Sequence, residues 1–280
     1  MRTGRVSMTA RATASRRAAH QLLDQAPLVL NDPIAVPLLG PEFFCDPARH
    51  SDPRSIAFRA WMVGRSRFVE DHLALAVAAG VRQYVILGAG LDTFAYRNPF
   101  PALRVFEVDY PSTQQFKRSM LADAAVPEPA SLTFVPHDFE HQTLPQALAQ
   151  AGFDPDQPAF FSWLGVIAYL SLETFRATIH FIATLPKTGG IALDYSIATE
   201  ELSPRLRPMR KSLSQRVAAA GEPFQLFFRT EEMQQELHNA GFTQVEQADS
   251  SDLNRLYFTN RTDNLKLPDE GLGKLAVAWV

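Results

Sequence analysis

Residues 83–93 read QYVILGAGLDT, and this stretch predicts the fold of the chain. Tyr84 to Leu87 form a continuous apolar run, which is typical of a strand that is buried on both faces. The run stops at Gly88-Ala89-Gly90, where glycine permits a sharp turn and lets a ligand approach the main chain closely. We therefore expect a buried strand that ends in a ligand-binding turn.

A second strand-like run, RVFEVD at residues 104–109, carries an acid 17 residues after Gly90, Glu107. Nucleotide-binding folds place such an acid roughly 20 residues after the turn, where it accepts hydrogen bonds from ribose hydroxyls. The dinucleotide fingerprint also requires a third glycine three residues after the second, and Thr93 stands at that place. A cofactor with a ribose but no pyrophosphate, such as S-adenosylmethionine, fits the sequence better.

Composition excludes several classes of protein. The 280 residues are 46% hydrophobic and 20% charged, enough for one large core with an added lid. The net charge of −3 argues against a nucleic-acid binder, and no apolar run approaches the roughly 18 residues of a membrane span. Cys45 is the single cysteine, which fits a reducing compartment and a cytoplasmic location. No metal-ligand spacing is visible, so no metal site is predicted.

The N-terminus allows two interpretations. Residues 1–20 carry five arginines and no acid, a composition that is also typical of a mitochondrial transit peptide. The segment runs without a break into a turn at Asn31-Asp32-Pro33, which favours a functional helix.

Strand-like and helix-like segments alternate after residue 80, which predicts a parallel sheet with helices on both faces. We expect an N-terminal helical lid over residues 1–80 and a methyl-donor-type core over 81–280. Residues 197–230 interrupt the alternation and are interpreted as a second, mid-chain lid that covers the ligand. The expected strands are 83–88, 104–109, 132–136, 159–164, 190–196, 242–247 and 275–280.

Several segments together resemble the leucine carboxyl methyltransferase-like branch of the class I S-adenosylmethionine-dependent methyltransferases, which includes bacterial polyketide O-methyltransferases. The segments are Arg17-Ala18, Asn31-Asp32-Pro33, Arg65-Ser66-Arg67 with Asp71, residues 83–97 (QYVILGAGLDTFAYR), residues 106–111 (FEVDYP) with Lys117, His137-Asp138-Phe139, residues 163–171 and Gly241-Phe242. The resemblance implies a Rossmann-like α/β fold with a seven-stranded, mostly parallel sheet whose last strand is antiparallel.

The resemblance also implies cofactor-binding roles. Arg65 would pair with the methionine carboxylate, and Arg17 would lie near it. Glu107 would bind the ribose, and Phe139 would contact the adenine. Asp138 would contact the adenine too, although the residues taken alone favour a helix cap at this position. The other implied cofactor positions are Gly88, Ala89, Gly90, Asp92, Val108, Ser162 and Trp163.

The chain departs from the family pattern after the fourth strand. The family usually has glutamate after the tryptophan, and here Leu164 occupies that place. Phe94 stands where an arginine is common, which is a lesser departure. The loss of the glutamate puts polar contacts in the site, or the usual substrate, in doubt.

The predicted activity is O-methylation of a small-molecule carboxylate or hydroxyl, such as a polyketide or other secondary metabolite. Tyr195, His137 and His20 are the candidate bases or substrate contacts, and the arginines of residues 202–228 suggest an acidic group on an apolar acceptor. An NAD-dependent oxidoreductase and a cofactor-binding protein without activity stay open as alternatives. A homodimer is also left open, and the acceptor itself is not determined.

Overall fold

A single sheet of seven strands organises the described part of the chain, which is residues 8–40, 50–139, 142–186, 188–219 and 221–280 of a computed structural model. The strands are β1 (Gln83–Leu87), β2 (Arg104–Asp109), β3 (Leu132–Pro136), β4 (Ala159–Trp163), β5 (Gly190–Ser196), β6 (Gln244–Ala248) and β7 (Gly273–Trp279). Their order is β3-β2-β1-β4-β5-β7-β6, and β7 runs antiparallel to both of its neighbours, β5 and β6. The predicted fold class is confirmed. Cys45 lies outside the described residues.

Helices connect the strands and cover both faces of the sheet. The α-helices are α1 (Met8–Leu23), α2 (Ala35–Leu39), α3 (Pro53–Ala78), α4 (Pro111–Asp123), α5 (Leu144–Gln150), α6 (Leu172–Ala183), α7 (Arg207–Ala219), α8 (Thr230–Ala240) and α9 (Ser250–Leu253). Short 3₁₀ turns span Phe94–Tyr96 and Ile167–Tyr169, and a π-helical turn spans Asn254–Phe258. No helix of the described residues is long and apolar enough to cross a membrane. The cytoplasmic location stays a prediction.

Strand β1 shows why the sheet is buried on both faces. All five of its residues are buried, and successive side chains point to opposite faces. Val85 and Leu87 belong to the core on the side of α5, α6 and α8. Tyr84 and Ile86 pack on the other side, against helix α3. Helix α3 therefore lies on the sheet, although sequence analysis assigned it to an N-terminal lid, and the boundary at residue 80 stays a prediction.

The strand order places a crevice at the carboxyl ends of the central strands. From β1 the chain passes outward to β2 and β3, and then crosses to β4 on the opposite side of β1. The two loops at this switch point lead in opposite directions, and ligands of open α/β sheets bind in the crevice between them. The glycine turn follows β1 directly, so it forms the floor of that crevice.

Two segments close over the crevice. Helices α1 and α2 pack on α4 through a small apolar cluster that includes Ala14, Leu38 and Leu121. From the mid-chain segment, the main-chain N–H groups of Gln225 and Leu226 both donate to the carbonyl of Ala168, at 2.7 and 3.2 Å. We refer to residues 221–225 as the lid segment.

Candidate active site

One cavity lies at the carboxyl ends of β1, β2 and β4, beneath α1 and the lid segment. The glycine turn, the end of β2, the loop after β4 and helix α3 form its walls. The predicted cofactor positions that line it are Arg17, Arg65, Gly88, Ala89, Gly90, Asp92, Phe139 and Ser162. The predicted positions that do not line it are Glu107, Val108, Asp138 and Trp163.

Gly88 leaves no room for a side chain. Gly88 and Gly90 have φ values of +66° and +52°, a region that favours glycine. A Cβ atom on Gly88 would lie 2.3 Å from Cγ2 of Val166, so the loop after β4 closes directly onto the turn. The N–H groups of Gly88 and Ala89 both donate to the carbonyl of Val108, which is the part that Val108 plays here.

Asp109 is the acid of strand β2 that lines the cavity, whereas the predicted Glu107 does not line it. Glu107 is fully buried, with Oε2 2.5 Å from Nζ of Lys117 and Oε1 without a partner among the described residues. Asp109 lines the cavity, and its Oδ2 accepts from the N–H of Gly90 at 2.6 Å. The two acids are two residues apart and face the same side of the strand, but only the last residue reaches the strand end.

Burial sets the protonation of these two acids. It raises the pKa of the Glu107 carboxyl to about 7, while the ammonium group of Lys117 acts against that rise. Burial also raises the pKa of Asp109, and hydrogen bonds from the N–H groups of Gly90 and Tyr110 oppose it. Both acids therefore depend on specific donors to stay ionised.

Asp194 holds Arg65 at the cavity wall. Nη1 of Arg65 lies 2.5 Å from Oδ2 of Asp194, and Oδ1 of Asp194 accepts from the N–H of Gly165 at 2.6 Å. Gly165 has φ +73°, and a Cβ there would lie 3.4 Å from both terminal nitrogens of Arg65. Nε of Arg65 is buried without a partner among the described residues. Sequence analysis missed Asp194, although an acid within the apolar run of β5 is a signal of a buried polar contact.

Arg17 fastens helix α1 to the floor of the site. Its Nε donates to Oδ2 of the fully buried Asp32 at 3.1 Å, and its Nη2 donates to the carbonyl of Leu91 at 2.5 Å. Oγ1 of Thr93 donates to the same carboxylate at 2.7 Å. Thr93 therefore uses the place of the third glycine to bind Asp32.

Phe139 is the side chain of the His137-Asp138-Phe139 segment that lines the cavity. The hydroxyl of Tyr110 donates to Oδ1 of Asp138 at 3.3 Å, beside the cavity. Trp163 is fully buried and stacks on Phe139 with ring centroids 6.4 Å apart, so it supports that ring from the core.

Ser162 and Leu164 line the cavity from the end of β4. Oγ of Ser162 accepts from the hydroxyl of Tyr84 at 2.8 Å. Leu164 packs against the apolar core on the α3 side. An apolar side chain thus occupies the family's glutamate position, and the wall there is not charged.

None of the three candidate bases lines the cavity, so their positions do not support that role. Tyr195 follows Asp194 and so points to the other face of β5, where its hydroxyl donates to Oε1 of Gln247. His137 is buried edge-on to Phe139 at 4.6 Å, and burial lowers its pKa.

His20 has a structural role. Its Nε2 accepts from the N–H groups of Val29 and Leu30 at 3.1 and 3.3 Å. The proton therefore lies on Nδ1, which is 2.7 Å from Oδ2 of Asp24. With both ring nitrogens engaged, His20 fixes the turn after α1.

The basic side chains of the mid-chain segment do not line the cavity either. Arg210 is buried, donates from Nη2 to the carbonyl of Leu272 and lies over the ring of Phe227 at 4.9 Å. The lid segment contributes Gly221, Glu222, Pro223 and Gln225 to the lining. The expectation that these arginines bind an acidic group of the acceptor is therefore not supported by their positions.

The sequence matches the family described as leucine carboxyl methyltransferase over residues 10–183. YktD of Bacillus subtilis (strain 168), which is named as an S-adenosyl-L-methionine-dependent methyltransferase, is 33% identical over 95% of this chain and 95% of its own. A Mycolicibacterium smegmatis protein (strain ATCC 700084 / mc(2)155) with the same description is 35% identical over 70% of this chain and 68% of its own.

Solved structures share the fold. A methyltransferase structure from Thermobifida fusca YX superposes with a TM-score of 0.54 at 18% identity, covering 95% of this chain and 93% of that one. Human N-acetylserotonin methyltransferase, solved in complex with S-adenosylmethionine, gives a TM-score of 0.51 at 13% identity, covering 97% of this chain and 67% of that one. At these identities the likeness concerns the architecture alone.

Proposed function

Since the chain belongs to the leucine carboxyl methyltransferase family and is an S-adenosylmethionine-dependent methyltransferase, we propose that it methylates an oxygen of a small molecule. The oxygen is that of a carboxylate or a hydroxyl, and the acceptor class is a polyketide or another secondary metabolite. Membership of a methyltransferase family argues against the two alternatives, an oxidoreductase and a protein without activity.

The cavity residues fit S-adenosylmethionine. Gly88 and Gly90 line the cavity with main chain only, and the unpartnered Nε of Arg65 offers a donor for a carboxylate at one end. Asp109 offers an acceptor for ribose hydroxyls at the end of β2, and the ring of Phe139 offers an apolar face for a base. When bound, this cofactor supplies an activated methyl group, and the residues around it orient the acceptor and exclude water.

The main support for a small acceptor is that helix α1 and the lid segment cover the mouth of the cavity. Arg17 fastens α1 on one side through Asp32 and Leu91. Gln225 fastens the lid segment on the other side, through its main-chain bond to Ala168 and its Nε2 bond to the carbonyl of Tyr169 at 2.8 Å. A small molecule fits beneath two fastened covers, whereas the chain end of a folded protein would have to displace one of them.

The residues that line the cavity favour methylation of an oxygen that needs little or no help from a general base. Histidine, lysine and cysteine are absent from the cavity lining in the described ranges. A carboxylate oxygen attacks without deprotonation, and a hydroxyl oxygen needs only to lose its proton as the new bond forms. Proximity and alignment then supply much of the barrier reduction.

The proposal is tested by incubating the full chain with S-adenosylmethionine and two sets of acceptors. The first set contains small aromatic and aliphatic carboxylic acids and alcohols, and the second contains peptides that end in a leucine carboxylate. Mass spectrometry of the products, with S-adenosylhomocysteine as the common readout, should find O-methylated small molecules. Methylation confined to the peptides, or to nitrogen, carbon or sulfur, would contradict the proposal.

A further inference from the structure

Helix α7 and the turn before it carry a concentration of positive charge on an otherwise acidic molecule. Residues 202–221 contain five cations and no acid, whereas the whole chain of 280 residues has a net charge of −3. The remainder of the chain therefore has a net charge of −8 (−3 minus 5). Four of the five cations are exposed, and we call them the α7 cations: Arg205, Arg207, Lys211 and Arg216.

The α7 cations are not neutralised by the chain that carries them. None of them forms an ion pair with a residue that the structure describes. Nε of Arg207 donates to the carbonyl of Leu202 at 3.1 Å, a main-chain contact that leaves the charge uncancelled. The α7 cations are also absent from the described lining of the cavity. Their charge is therefore available to a molecule outside the chain.

Two of the α7 cations act against the helix that carries them. Arg207 lies in the first turn of α7, where the helix dipole favours acids, and that turn contains no acid. Lys211 lies four residues after Arg207, and like charges at this spacing destabilise a helix. A helix of 13 residues depends on packing for its stability, yet its buried residues are Arg210 and Val217. Cations that weaken a sparsely packed helix indicate a role in contacts outside the chain.

The attachment of α7 determines which of its faces points outward. On the inner face, Arg210 is buried, donates to the carbonyl of Leu272 and lies over the ring of Phe227. On the outer side, Met209 is 49% exposed. Arg216 lies seven residues after Met209, so the two share one stripe of the helix. An exposed methionine among cations offers a partner an apolar anchor within a charged surface.

The distribution of charge favours an acidic protein segment over a membrane or a nucleic acid. Membranes and nucleic acids are extended polyanions, so they would also meet the acidic remainder of the molecule, which repels them. A membrane-binding helix presents a broad apolar face, and the large apolar side chain that α7 exposes among the described residues is Met209 alone. The helix is about 20 Å long, so its outer face accommodates a short segment.

We infer that the outer face of α7 is a docking site for a short acidic segment of another protein. The carboxylates of that segment pair with the α7 cations, and one of its apolar side chains covers Met209. The docking site lies beside the cavity mouth, because the main-chain N–H of Glu222 in the lid segment donates to the carbonyl of Val217 in α7 at 3.0 Å. The inference does not depend on which acceptor the enzyme methylates.

A designed acidic peptide tests the docking site. The probe is a fluorescein-labelled helical peptide with four repeats of Glu-Ala-Leu-Glu, and its binding to the full chain is measured by fluorescence anisotropy. A peptide with glutamine in place of every glutamate is the matched control. We expect the acidic peptide to bind, and its Kd to rise about tenfold or more between about 50 and 300 mM salt, because exposed ion pairs are screened. No binding of the acidic peptide, or equal binding of the glutamine peptide, overturns the inference.

Two triple variants with the same change of charge locate the site. The α7 variant is Arg207→Gln/Lys211→Gln/Arg216→Gln, and the control variant changes three exposed cations elsewhere, Arg54→Gln/Arg82→Gln/Lys266→Gln. We expect the α7 variant to bind the acidic peptide about tenfold or more weakly, and the control variant to bind it within about twofold of the wild type. Both variants should bind S-adenosylmethionine as the wild type does, which shows that the fold is intact. An equal loss of peptide binding in both variants, or no loss in the α7 variant, overturns the inference.

The other possible occupants are tested with the same proteins. Vesicles of phosphatidylcholine and phosphatidylserine represent a membrane surface, and a double-stranded DNA oligonucleotide represents a nucleic acid. Neither should bind at about 150 mM salt, because the acidic remainder of the molecule repels an extended polyanion. If the vesicles or the DNA bind the wild type more tightly than the acidic peptide does, the acidic protein segment is the wrong occupant and the inference is overturned.

Discussion

Asp109, and not Glu107, should determine the affinity for S-adenosylmethionine. Asp109 lines the cavity at the end of β2, where we propose that the ribose binds, so Asp109→Asn removes a charged acceptor from that wall. Hydrogen bonds to charged groups contribute about 1.5–3 kcal/mol, which corresponds to about a 10- to 150-fold increase in Kd.

Glu107→Gln should have the opposite pattern of effects. Its exposed fraction is 0% and that of Lys117 is 1%, so the substitution leaves an ammonium group buried without a counter-charge. Because burial raises the pKa of Glu107 to about 7, much of the charge pairing is already lost at neutral pH, and the unfolding free energy should fall by about 1–3 kcal/mol, the cost of a buried donor without its partner. The affinity for the cofactor should stay at the wild-type value, because Glu107 does not reach the cavity.

The assay combines calorimetric titration of the cofactor with urea unfolding followed by circular dichroism. The double variant Glu107→Gln/Lys117→Met serves as the control, because removing both charges of a buried pair is often close to neutral for stability. It should recover most of the lost stability while binding the cofactor as the wild type does.

The reasoning would be refuted by the reversed result. If Glu107→Gln and the double variant both bind the cofactor tenfold more weakly while Asp109→Asn binds normally, Glu107 reaches the ribose. The geometry of the β2 end described above would then be incorrect.

Three further predictions concern the same site. Gly88→Ala should abolish measurable cofactor binding in calorimetry, because its Cβ would lie 2.3 Å from Val166 and its φ is +66°. Adding Val166→Ala should restore only part of the binding, since the backbone strain remains. Full binding by Gly88→Ala alone would contradict the requirement for glycine at this position. Asp194→Asn should raise the KM for the cofactor about tenfold with a smaller change in kcat, because it removes the ion pair that holds Arg65. An unchanged KM would show that the Arg65–Asp194 ion pair is not needed for cofactor binding. Burial raises the pKa of Glu107 from its ordinary 4.5 to about 7, so between these pH values the folded state holds a proton that the unfolded chain releases. The contribution of Glu107 to the unfolding free energy should therefore fall as the pH rises from about 4.5 to 7. Urea unfolding of the wild type and of Glu107→Gln/Lys117→Met should show a different dependence of unfolding free energy on pH, and the same dependence in both proteins would contradict the prediction.

Much of the site was predictable because its residues are neighbours in sequence. The apolar run, the glycine turn and Asp92 follow one another within residues 83–93, so local periodicity and turn chemistry place them together. Arg65, Arg17 and Phe139 came from the family resemblance, and each of them lines the cavity.

The predicted residues that do not line the cavity differ from those that do in side-chain direction and position at strand ends. Glu107 and Asp109 look equivalent in sequence, and the count from the glycine turn favours neither strongly, but the strand end reaches the cavity at Asp109. Tyr195 follows Asp194, so one residue of register decides which of them meets Arg65 and which meets the opposite core.

The sequence by itself determined the class of fold, the glycine turn and the kind of cofactor, because these depend on short-range periodicity and on residues that permit unusual backbone angles. Only the tertiary structure decided which charges face the cavity. Asp32 lies 15 residues from Arg17, and Asp194 lies 129 residues from Arg65. These acids neutralise the arginines because the fold brings them close together. Coulomb attraction depends on distance in space and not on separation along the chain.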